Sequence, residues 1–363
     1  MEDKDFMKVA LQLAKQGSGQ TSPNPLVGAV VVKDGQIIGM GAHLKAGEPH
    51  AEVHAIRMAG ANAEDSTVYV TLEPCSHHGK TPPFADLLIS SKVKRVVVAA
   101  EDPNPLVAGK GLKKLEDAGI QVMTGVLMTE AEKLNKVFFH YIKTKQPYVT
   151  LKWAGSLDGK TATVTGESKW ITGEKARKDV HRYREIHDAI LTGVETVLKD
   201  DPSLTCRLDN PIKQPVRIIL DTHLRTPQSA AVLNDGLAET WIITGSAVSP
   251  EQISSFQNKK AAIIQMKTSK IEISDLLRLL GERSITSLFV EGGAAIHGSF
   301  VKEGAFNEVV SYVAPVLIAG KDAYPLVGGM GFEHIDEALR LKIIETEMLG
   351  EDFKIVCAKK EVE

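Results

Sequence analysis

Apolar and polar residues alternate along the chain with two periods, one typical of helices and one typical of strands. In residues 3–16 the apolar side chains recur three and four positions apart, which predicts an amphipathic helix. Residues 26–33 and 36–41 are β-rich, and the Asp34-Gly35 pair between them predicts a hairpin turn. The chain is therefore expected to begin with a helix and two paired strands.

The alternation of helices and strands continues beyond the hairpin. Pro49 suits the start of a helix, and Gly60 suits its end. Short β-rich runs follow at residues 68–70 and 96–98, with a helical stretch between them. Alternation of this kind favours an α/β sandwich.

A polar, proline-ended stretch at residues 143–147 follows a predicted helix at residues 129–141. We place a domain boundary there, because the length allows two domains of roughly 100–200 residues each. The predicted domains are residues 1–146 and residues 147–363. The second domain opens a new α/β series, and its candidate strands are residues 148–151, 189–191, 216–220, 241–243 and 288–290.

The overall composition is that of a globular protein without a concentrated charge. Hydrophobic residues make up 43% of the 363 positions, and the formal net charge is -3. This balance provides no basic face for nucleic acid, and no apolar run approaches the ~20 residues that span a bilayer. The polar start at residues 1–5 is unlike a signal peptide.

The cysteines argue against a disulfide framework, because they are odd in number and widely spaced. A reducing, cytoplasmic setting is therefore expected. Cys206 is predicted to be structural, and Cys357 is predicted to be a core residue of a late strand.

His50, Glu52 and Cys75 form a pattern that suits zinc chemistry. A His-x-Glu pair followed by Pro-Cys is the signature of zinc-dependent nucleobase deaminases. Zinc lowers the pKa of bound water towards ~7, and a nearby carboxylate can move the released proton. We predict His50 and Cys75 as zinc ligands and Glu52 as the catalytic proton shuttle. Taken singly, these residues are also typical of a polar helix start and a buried core thiol.

A second candidate site lies where the strand at residues 288–290 leads into a predicted helix. Gly292 and Gly293 stand at this point, where glycines let backbone N–H groups approach a phosphate at the positive end of a helix dipole. The spacing is not Gly-x-Gly-x-x-Gly, so a Rossmann domain is not implied. Without further context, a tight strand-to-helix turn explains the same glycines.

Longer motifs resemble a single enzyme family over residues ~1–360. Those that resemble the deaminase half of the bacterial bifunctional riboflavin biosynthesis enzymes are residues 21–28, 50–53, 71–77 and 102–111. Those that resemble its reductase half are residues 151–172, 188–197 and 200–207. The resemblance implies an α/β fold, in which a cytidine-deaminase-like three-layer domain precedes a dihydrofolate-reductase-like α/β domain.

The resemblance also implies an activity, in which a hydrolase and an oxidoreductase act in sequence. The first would deaminate a diaminopyrimidine ribosylamine phosphate, and the second would use NADPH to reduce its ribosyl group to ribityl. Zinc and NADPH are the implied cofactors, phosphorylated pyrimidines the implied substrates, and a homotetramer the implied assembly. Neither nucleic acid nor membrane is an expected partner.

Individual site residues follow from the same resemblance. The implied substrate ligands of the first domain are Asn24, His43, Lys80 and Asp102. The implied catalytic residue of the second domain is Lys152. The implied dinucleotide ligands are Ala154, Trp170, Thr196, Asp200, Thr222, Gly293, Ala294, Ala295, Ile296, His297, Gly298 and Ser299. The implied ligands of the sugar-phosphate substrate are Ser168, Arg184, Leu204, Arg207 and Glu291.

The two arginines among these ligands suit a phosphate, because guanidinium binds it through two parallel hydrogen bonds. A surface ion pair is the alternative role for Arg184 and Arg207.

The chain departs from the family pattern at Phe84, where the family has a cysteine as its third zinc ligand. Phenylalanine has no lone pair for a metal, so we predict substoichiometric zinc and slow deamination. His77 or His78 is a possible replacement ligand, and the alternative role of both is to contact substrate phosphate.

Three other interpretations compete with a fully bifunctional enzyme. In one, only the reductase is active and the first domain is a metal-poor scaffold or a substrate-binding module. Another is a deaminase acting on tRNA or DNA, which the net charge and the reductase half argue against. The last is a non-enzymatic interaction protein, which two reaction-shaped pockets argue against.

Overall fold

The chain divides into two compact units, Met1–Lys145 and Gln146–Glu363. The structure is a computed structural model and describes residues 1–74, 84–104, 108–256 and 259–360. The division falls one residue before the predicted boundary, within the polar stretch 143–147.

The first unit is built on a five-stranded sheet with helices on both faces. Its strands are β1 (Gly28–Lys33), β2 (Gln36–Ala42), β3 (Thr67–Leu72), β4 (Arg95–Ala100) and β5 (Gln121–Thr124). Its helices are α1 (Asp3–Ala14), α2 (Ala51–Ala59), α3 (Phe84–Ser90), α4 (Lys110–Asp117), α5 (Met128–Leu134) and α6 (Lys136–Thr144). The strand order is β2-β1-β3-β4-β5, with β3, β4 and β5 parallel.

Glycines in β1 and β2 show why helices cover both faces of this sheet. Gly28 pairs with Ala42, whereas Gly41 pairs with Ala29, so Gly28 and Gly41 face opposite sides. A Cβ on Gly28 would collide with Ala10 of α1, and one on Gly41 would collide with Ala51 of α2. The two helices therefore press against opposite faces, which gives the predicted three layers.

The helix predicted at residues 129–141 is broken at Asn135 into α5 and α6, so this prediction was wrong in its continuity. Asn135 is buried, and its amide pairs with the backbone of Leu26, which donates its N–H (2.8 Å) and accepts at its C=O (2.9 Å). Asn135 is the C-cap of α5 and the N-cap of α6, and asparagine is favoured at helix N-caps over helix interiors because its side chain bonds to backbone groups. It ties α6 to the segment before β1.

The second unit is built on a nine-stranded sheet, most of it parallel. Its strands are β6 (Tyr148–Ser156), β7 (Lys160–Ala162), β8 (Ala189–Gly193), β9 (Val216–Leu220), β10 (Thr240–Thr244), β11 (Ala261–Gln265), β12 (Ser287–Val290), β13 (Glu308–Ala314), β14 (Tyr324–Pro325), β15 (Leu341–Leu349) and β16 (Asp352–Lys359). Its helices are α7 (Glu174–Ile186), α8 (Val194–Asp200), α9 (Ala231–Asn234), α10 (Pro250–Ser254), α11 (Ile273–Glu282) and α12 (Ala294–Lys302).

The order in the large sheet is β11-β10-β9-β8-β12-β6-β13-β16-β15, and β7 pairs with β14 separately. In this order, each strand from β11 across the sheet to β13 is parallel to its neighbour. Strands β16 and β15 add to the β13 edge in antiparallel pairing. In β8, Ala189 and Leu191 join one buried cluster while Ile190 joins another, so both faces of the sheet are covered. Ligands of such sheets bind at the carboxyl ends of the strands.

The late strands were only partly predicted. Cys357 does lie on β16, as expected, but it is half-buried rather than a full core residue. The neighbouring strand β15 is exposed along most of its length, which is why its sequence lacks the apolar pattern of a buried strand.

Candidate active sites

The His50 pocket is a cavity of about 370 Å³ in the first unit. His50 directly precedes α2, and Glu52 lies in the first turn of that helix. Asn24, His43 and Asp102 also line the cavity. The structure thus brings together five of the predicted residues, whereas Cys75 and Lys80, like His77 and His78, lie outside the described residues.

His43 links several parts of this pocket. Its Nε2 lies 3.3 Å from the Asn24 amide nitrogen, and its Nδ1 lies 3.3 Å from the Pro49 carbonyl oxygen. Burial lowers the pKa of His43. A neutral ring that donates from Nδ1 and accepts at Nε2 satisfies both partners, so His43 fixes the positions of Asn24 and the segment before α2.

Glu52 is buried, and its Oε2 has no hydrogen-bond partner within the described part of the chain. Burial raises the pKa of this carboxyl to about 7. A carboxyl in this state can both accept and donate a proton near neutral pH. Glu52 lines the cavity, so its carboxyl is placed to exchange a proton with a ligand bound there.

Phe84 lies beside His50. Its ring is buried and stacks on the imidazole, with the ring centroids 4.3 Å apart. Within the described ranges, no three His, Cys, Asp or Glu side chains gather as a metal site requires. Three protein ligands are usual for a catalytic zinc. The described residues offer His50 alone of the predicted ligands, so they do not by themselves fit the metal.

Glu73 shapes the rim of the His50 pocket and was not predicted from the sequence. Its carboxylate accepts backbone N–H groups from Asp102 (3.3 Å), Gly109 (3.0 Å) and Gly111 (3.0 Å). These bonds hold the loop that carries Asp102 in place. A carboxylate directly after the buried strand β3 is the only sequence signal that pointed to Glu73.

The basic pocket is a cavity of about 260 Å³ at the carboxyl ends of β6, β12 and β13. Glu291 follows β12 and accepts two hydrogen bonds from Arg184, at 2.6 and 3.0 Å. The Lys152 ammonium lies 3.6 Å from the same carboxylate. The predicted residues that line this pocket are Lys152, Ala154, Ser168, Trp170, Arg184, Arg207 and Glu291.

The charged side chains of the basic pocket shift one another's pKa values. Burial alone would raise the pKa of Glu291, but Arg184 and Lys152 outweigh it and bring the pKa to about 2. Burial lowers the pKa of Lys152, and the Glu291 carboxylate opposes this effect. Lys152 is therefore an ammonium that loses its proton more readily than an exposed lysine.

His181 belongs to the basic pocket and was missed from the sequence. Its Nδ1 accepts the backbone N–H of Arg207 at 3.2 Å. Burial, together with the charges of Arg184 and Arg207, lowers the pKa of His181 to about 4. The ring is neutral at pH 7 and anchors the backbone of the arginine that faces the cavity. Its spacing of three residues from Arg184 on α7 was the available signal.

The glycine pocket is a third cavity, of about 330 Å³, at the carboxyl ends of β8 and β9 and the start of α12. Gly293 directly precedes α12, and a Cβ placed on it would meet no atom within 4 Å. A Cβ on Gly292 would lie 2.5 Å from Ile296, so that glycine serves packing. The open space above Gly293 suits a dinucleotide phosphate. The predicted residues that line this pocket are Thr196, Thr222, Gly293, Ala295, Ile296 and Ser299.

Other predicted ligands lie elsewhere. Leu204 is buried in the core, and Asp200 ends α8 with an exposed side chain. His297 is buried, with its ring nitrogens near the carbonyls of Leu326 and Val290. Ala294 and Gly298 pack against residues 328–329. None of these five residues lines the basic pocket or the glycine pocket.

Comparison with known families assigns each unit. Residues 1–100 match the zinc-binding region of cytidine and deoxycytidylate deaminases. Residues 147–355 match the RibD C-terminal domain.

Relatives match the chain from end to end. The riboflavin biosynthesis protein RibD of Bacillus amyloliquefaciens is 53% identical over 98% of this chain and 96% of its own length. The structure of RibD from Acinetobacter baumannii is 42% identical, with a TM-score of 0.88 over 99% of each chain. A Thermotoga maritima structure is 38% identical, with a TM-score of 0.87 over 99% of each chain. That protein is a diaminohydroxyphosphoribosylaminopyrimidine deaminase/5-amino-6-(5-phosphoribosylamino)uracil reductase.

A deaminase-type zinc-binding domain joined to a reductase domain defines a class of two-domain enzymes, hydrolase and oxidoreductase in one chain. Within that class, this chain belongs to the RibD family of riboflavin biosynthesis proteins. The predicted fold class and enzyme class are confirmed, and zinc and NADPH are the cofactors of this family. In the described parts of both units, no helix is long and apolar enough to cross a membrane.

Proposed function

We propose that this protein uses NADPH to reduce the ribosyl group of 5-amino-6-(5-phosphoribosylamino)uracil, and that its first unit deaminates the preceding diaminopyrimidine only weakly. The stack of Phe84 on His50 carries the second part of this proposal. The intact ion-pair network around Lys152 and Glu291 supports the first.

In the basic pocket, Arg207 binds the substrate phosphate and His181 holds its backbone. Arg184 is engaged with Glu291 and with the Thr205 carbonyl, so its part is to orient Glu291. Arg207, which lines the cavity, therefore binds the substrate, whereas the buried Arg184 positions Glu291.

Lys152 supplies the proton of the reduction. Opening the ribosyl ring breaks the bond between its anomeric carbon and the ring oxygen, and that oxygen needs a proton. The buried Lys152 ammonium donates it, while Glu291 stays a carboxylate and keeps the ammonium in place. NADPH, when bound, supplies the hydride that adds to the anomeric carbon.

In the first unit, the residues that would bind a pyrimidine are present, but one of the expected zinc ligands is missing. Asn24, His43, Glu52 and Asp102 line one cavity and suit substrate binding. Phe84 stands where the family supplies a thiolate, so the metal would be held weakly and activated water would be scarce. A second candidate role follows from the same stack: the unit is a substrate-binding module without turnover.

Zinc content and two separate assays test this proposal on the purified full chain. We expect well under one zinc per chain, slow release of ammonia from the diaminopyrimidine, and fast NADPH oxidation with the deaminated substrate. Stoichiometric zinc with fast deamination would contradict the proposed impairment. Absence of NADPH oxidation would contradict the proposed reductase.

We further propose a homo-oligomer in a reducing, cytoplasmic setting. The edge strand β15 exposes Ile343, Ile344 and Met348, and exposed apolar strand edges commonly pair with another chain. Cys206 and Cys357 are free thiols, which suits a reducing compartment. Sedimentation of the purified protein as a monomer would contradict the assembly.

A further inference from the structure

Arg225 lines the glycine pocket, and the reductase proposed above gives it no role. It follows β9 in a turn that is held by hydrogen bonds between its own residues. Asp221 is fully buried, and its Oδ2 accepts both the backbone N–H and the hydroxyl of Thr226, each at 2.7 Å. The Leu224 N–H also bonds to the Asp221 carbonyl, at 3.1 Å. The backbone that carries Arg225 is therefore set before any ligand arrives.

Among the described residues, the Arg225 side chain has one ion pair, which is exposed to solvent. Its Nη2 lies 2.7 Å from Oε1 of Glu195, which stands in the first turn of α8 and lines the same cavity. Both side chains are about half exposed or more, at 48% and 65%. Such pairs contribute little to stability. Arg225 can therefore exchange Glu195 for a bound anion at small cost.

The strand order shows which part of a dinucleotide would reach Arg225. Residues of β6 line the basic pocket, and the ends of β8 and β9 line the glycine pocket. In the sheet, β12 and β8 lie between β6 and β9. A dinucleotide with its nicotinamide near Lys152 and its diphosphate beside Gly293 therefore has its adenosine half beside β9. That half carries the 2′-phosphate by which NADPH differs from NADH.

We infer that Arg225 recognises the 2′-phosphate of the dinucleotide and so sets the preference for NADPH over NADH. A guanidinium matches a phosphate through two parallel hydrogen bonds, which a ribose hydroxyl cannot replace. Thr222 and Ser299 line the same cavity and supply hydroxyl groups near the ligand. This inference rests on the proposed reductase function.

Calorimetric titration with NADP⁺ and NAD⁺ tests the inference without any turnover. Arg225→Gln should weaken NADP⁺ binding roughly 10- to 100-fold, the range expected for one charge-assisted contact. It should change NAD⁺ binding less than about 2-fold, because NAD⁺ has no 2′-phosphate. Arg225→Lys should fall between, since it keeps the charge and loses the planar fork. Arg225→Gln should likewise weaken the binding of adenosine 2′,5′-bisphosphate, which carries the 2′-phosphate, and leave the binding of AMP, which lacks it, nearly unchanged.

Arg278→Gln is the matched control, because Arg278 forms a similar exposed pair, 3.0 Å from Asp275 on α11, outside both cavities. It should change neither affinity. Equal weakening of both dinucleotides by Arg225→Gln, or no weakening of NADP⁺, would overturn the inference while leaving the reductase intact. If the unaltered protein bound neither dinucleotide, both the reductase and the inference would fail. Thermal melting of each variant verifies that it is folded.

Discussion

The phenyl ring of Phe84 lies against the imidazole ring of His50, with centroids 4.3 Å apart and planes inclined by 24°. Phe84 is 1% exposed and begins α3, so its ring is fixed by the core of the unit. The ring covers one face of a predicted zinc ligand with carbon and hydrogen only. The same residue that removes an expected thiolate thus also fills space beside the histidine.

Restoring a thiolate at this position should restore the metal. We expect Phe84→Cys to raise zinc content and deaminase activity together, because it adds a ligand and removes the ring in one step. Elemental analysis would measure zinc per chain, and ammonia release from the diaminopyrimidine would measure deaminase activity.

Phe84→Ala is the control for this variant, because it opens the same space and offers no ligand. Either truncation of a buried phenylalanine can cost about 3–5 kcal/mol, so the melting temperature of each needs to be recorded. Equal zinc in both variants would show that the ring blocks the site and that the thiolate is not needed. Full zinc in the unaltered protein, with deamination that requires Glu52, would point to a replacement ligand.

The reductase should be independent of metal. The described residues of the second unit contain no cluster of three His, Cys, Asp or Glu side chains, and the proposed hydride donor is organic. Treatment with EDTA should leave NADPH oxidation on the deaminated substrate unchanged, with zinc-saturated EDTA as the control. Loss of this activity in proportion to zinc removed would refute the separation of the two sites.

Local signals in the sequence predicted the architecture well, because they depend on neighbouring residues. The hairpin of β1 and β2 and the position of His50 and Glu52 at a helix start both follow from spacing over a few residues. The break at Asn135 does not, because its partner Leu26 is 109 residues away. Local periodicity carries no information about such a contact.

The candidate sites show the same limit. Glu73 acts on Gly111, 38 residues away, and His181 acts on Arg207, 26 residues away. Each residue had a weak local signal, but its partner lies far away in the sequence, so the fold was needed to reveal the contact. His297, in contrast, was predicted from a contiguous run but faces the interior, because consecutive residues of a helix point in different directions around its axis.

Removal of the Arg207 side chain should weaken substrate binding more than catalysis. A charge-assisted contact to phosphate is worth about 1.5–3 kcal/mol, and the phosphate changes little during reduction. Arg207→Ala should therefore raise KM about 10- to 100-fold with a small change in kcat. Arg182→Ala on α7 is the control, because Arg182 is exposed and absent from the cavity lining. A large fall in kcat at unchanged KM would place Arg207 at the reacting atoms.

The neutral state of His181 predicts a pH dependence of stability. Its pKa is about 4 in the folded chain, against an ordinary value of 6.5. Between these values the unfolded chain binds the additional proton, so stability falls as pH decreases from about 6.5 to about 4. In His181→Asn, an amide oxygen can still accept from Arg207 but does not titrate. Its melting temperature should therefore fall less over this window, and identical pH profiles would contradict a neutral His181.

Two glycines of the α12 region should respond oppositely to alanine. A Cβ on Gly298 would collide with the carbonyl oxygen of Gly328, so Gly298→Ala should cost about 1–3 kcal/mol although alanine favours helices. Gly293 has a permissive φ of -75° and open space above it, so Gly293→Ala should leave the melting temperature unchanged or slightly higher.

The same Gly293→Ala change should weaken NADP⁺ binding, because the new methyl group would enter the space proposed for the diphosphate. Binding by calorimetry and melting by circular dichroism separate the two effects on the same samples. A Gly293→Ala protein that is folded and binds NADP⁺ normally would move the diphosphate away from the start of α12. A Gly298→Ala protein as stable as the original would instead show that residues 328–329 yield to the added methyl group.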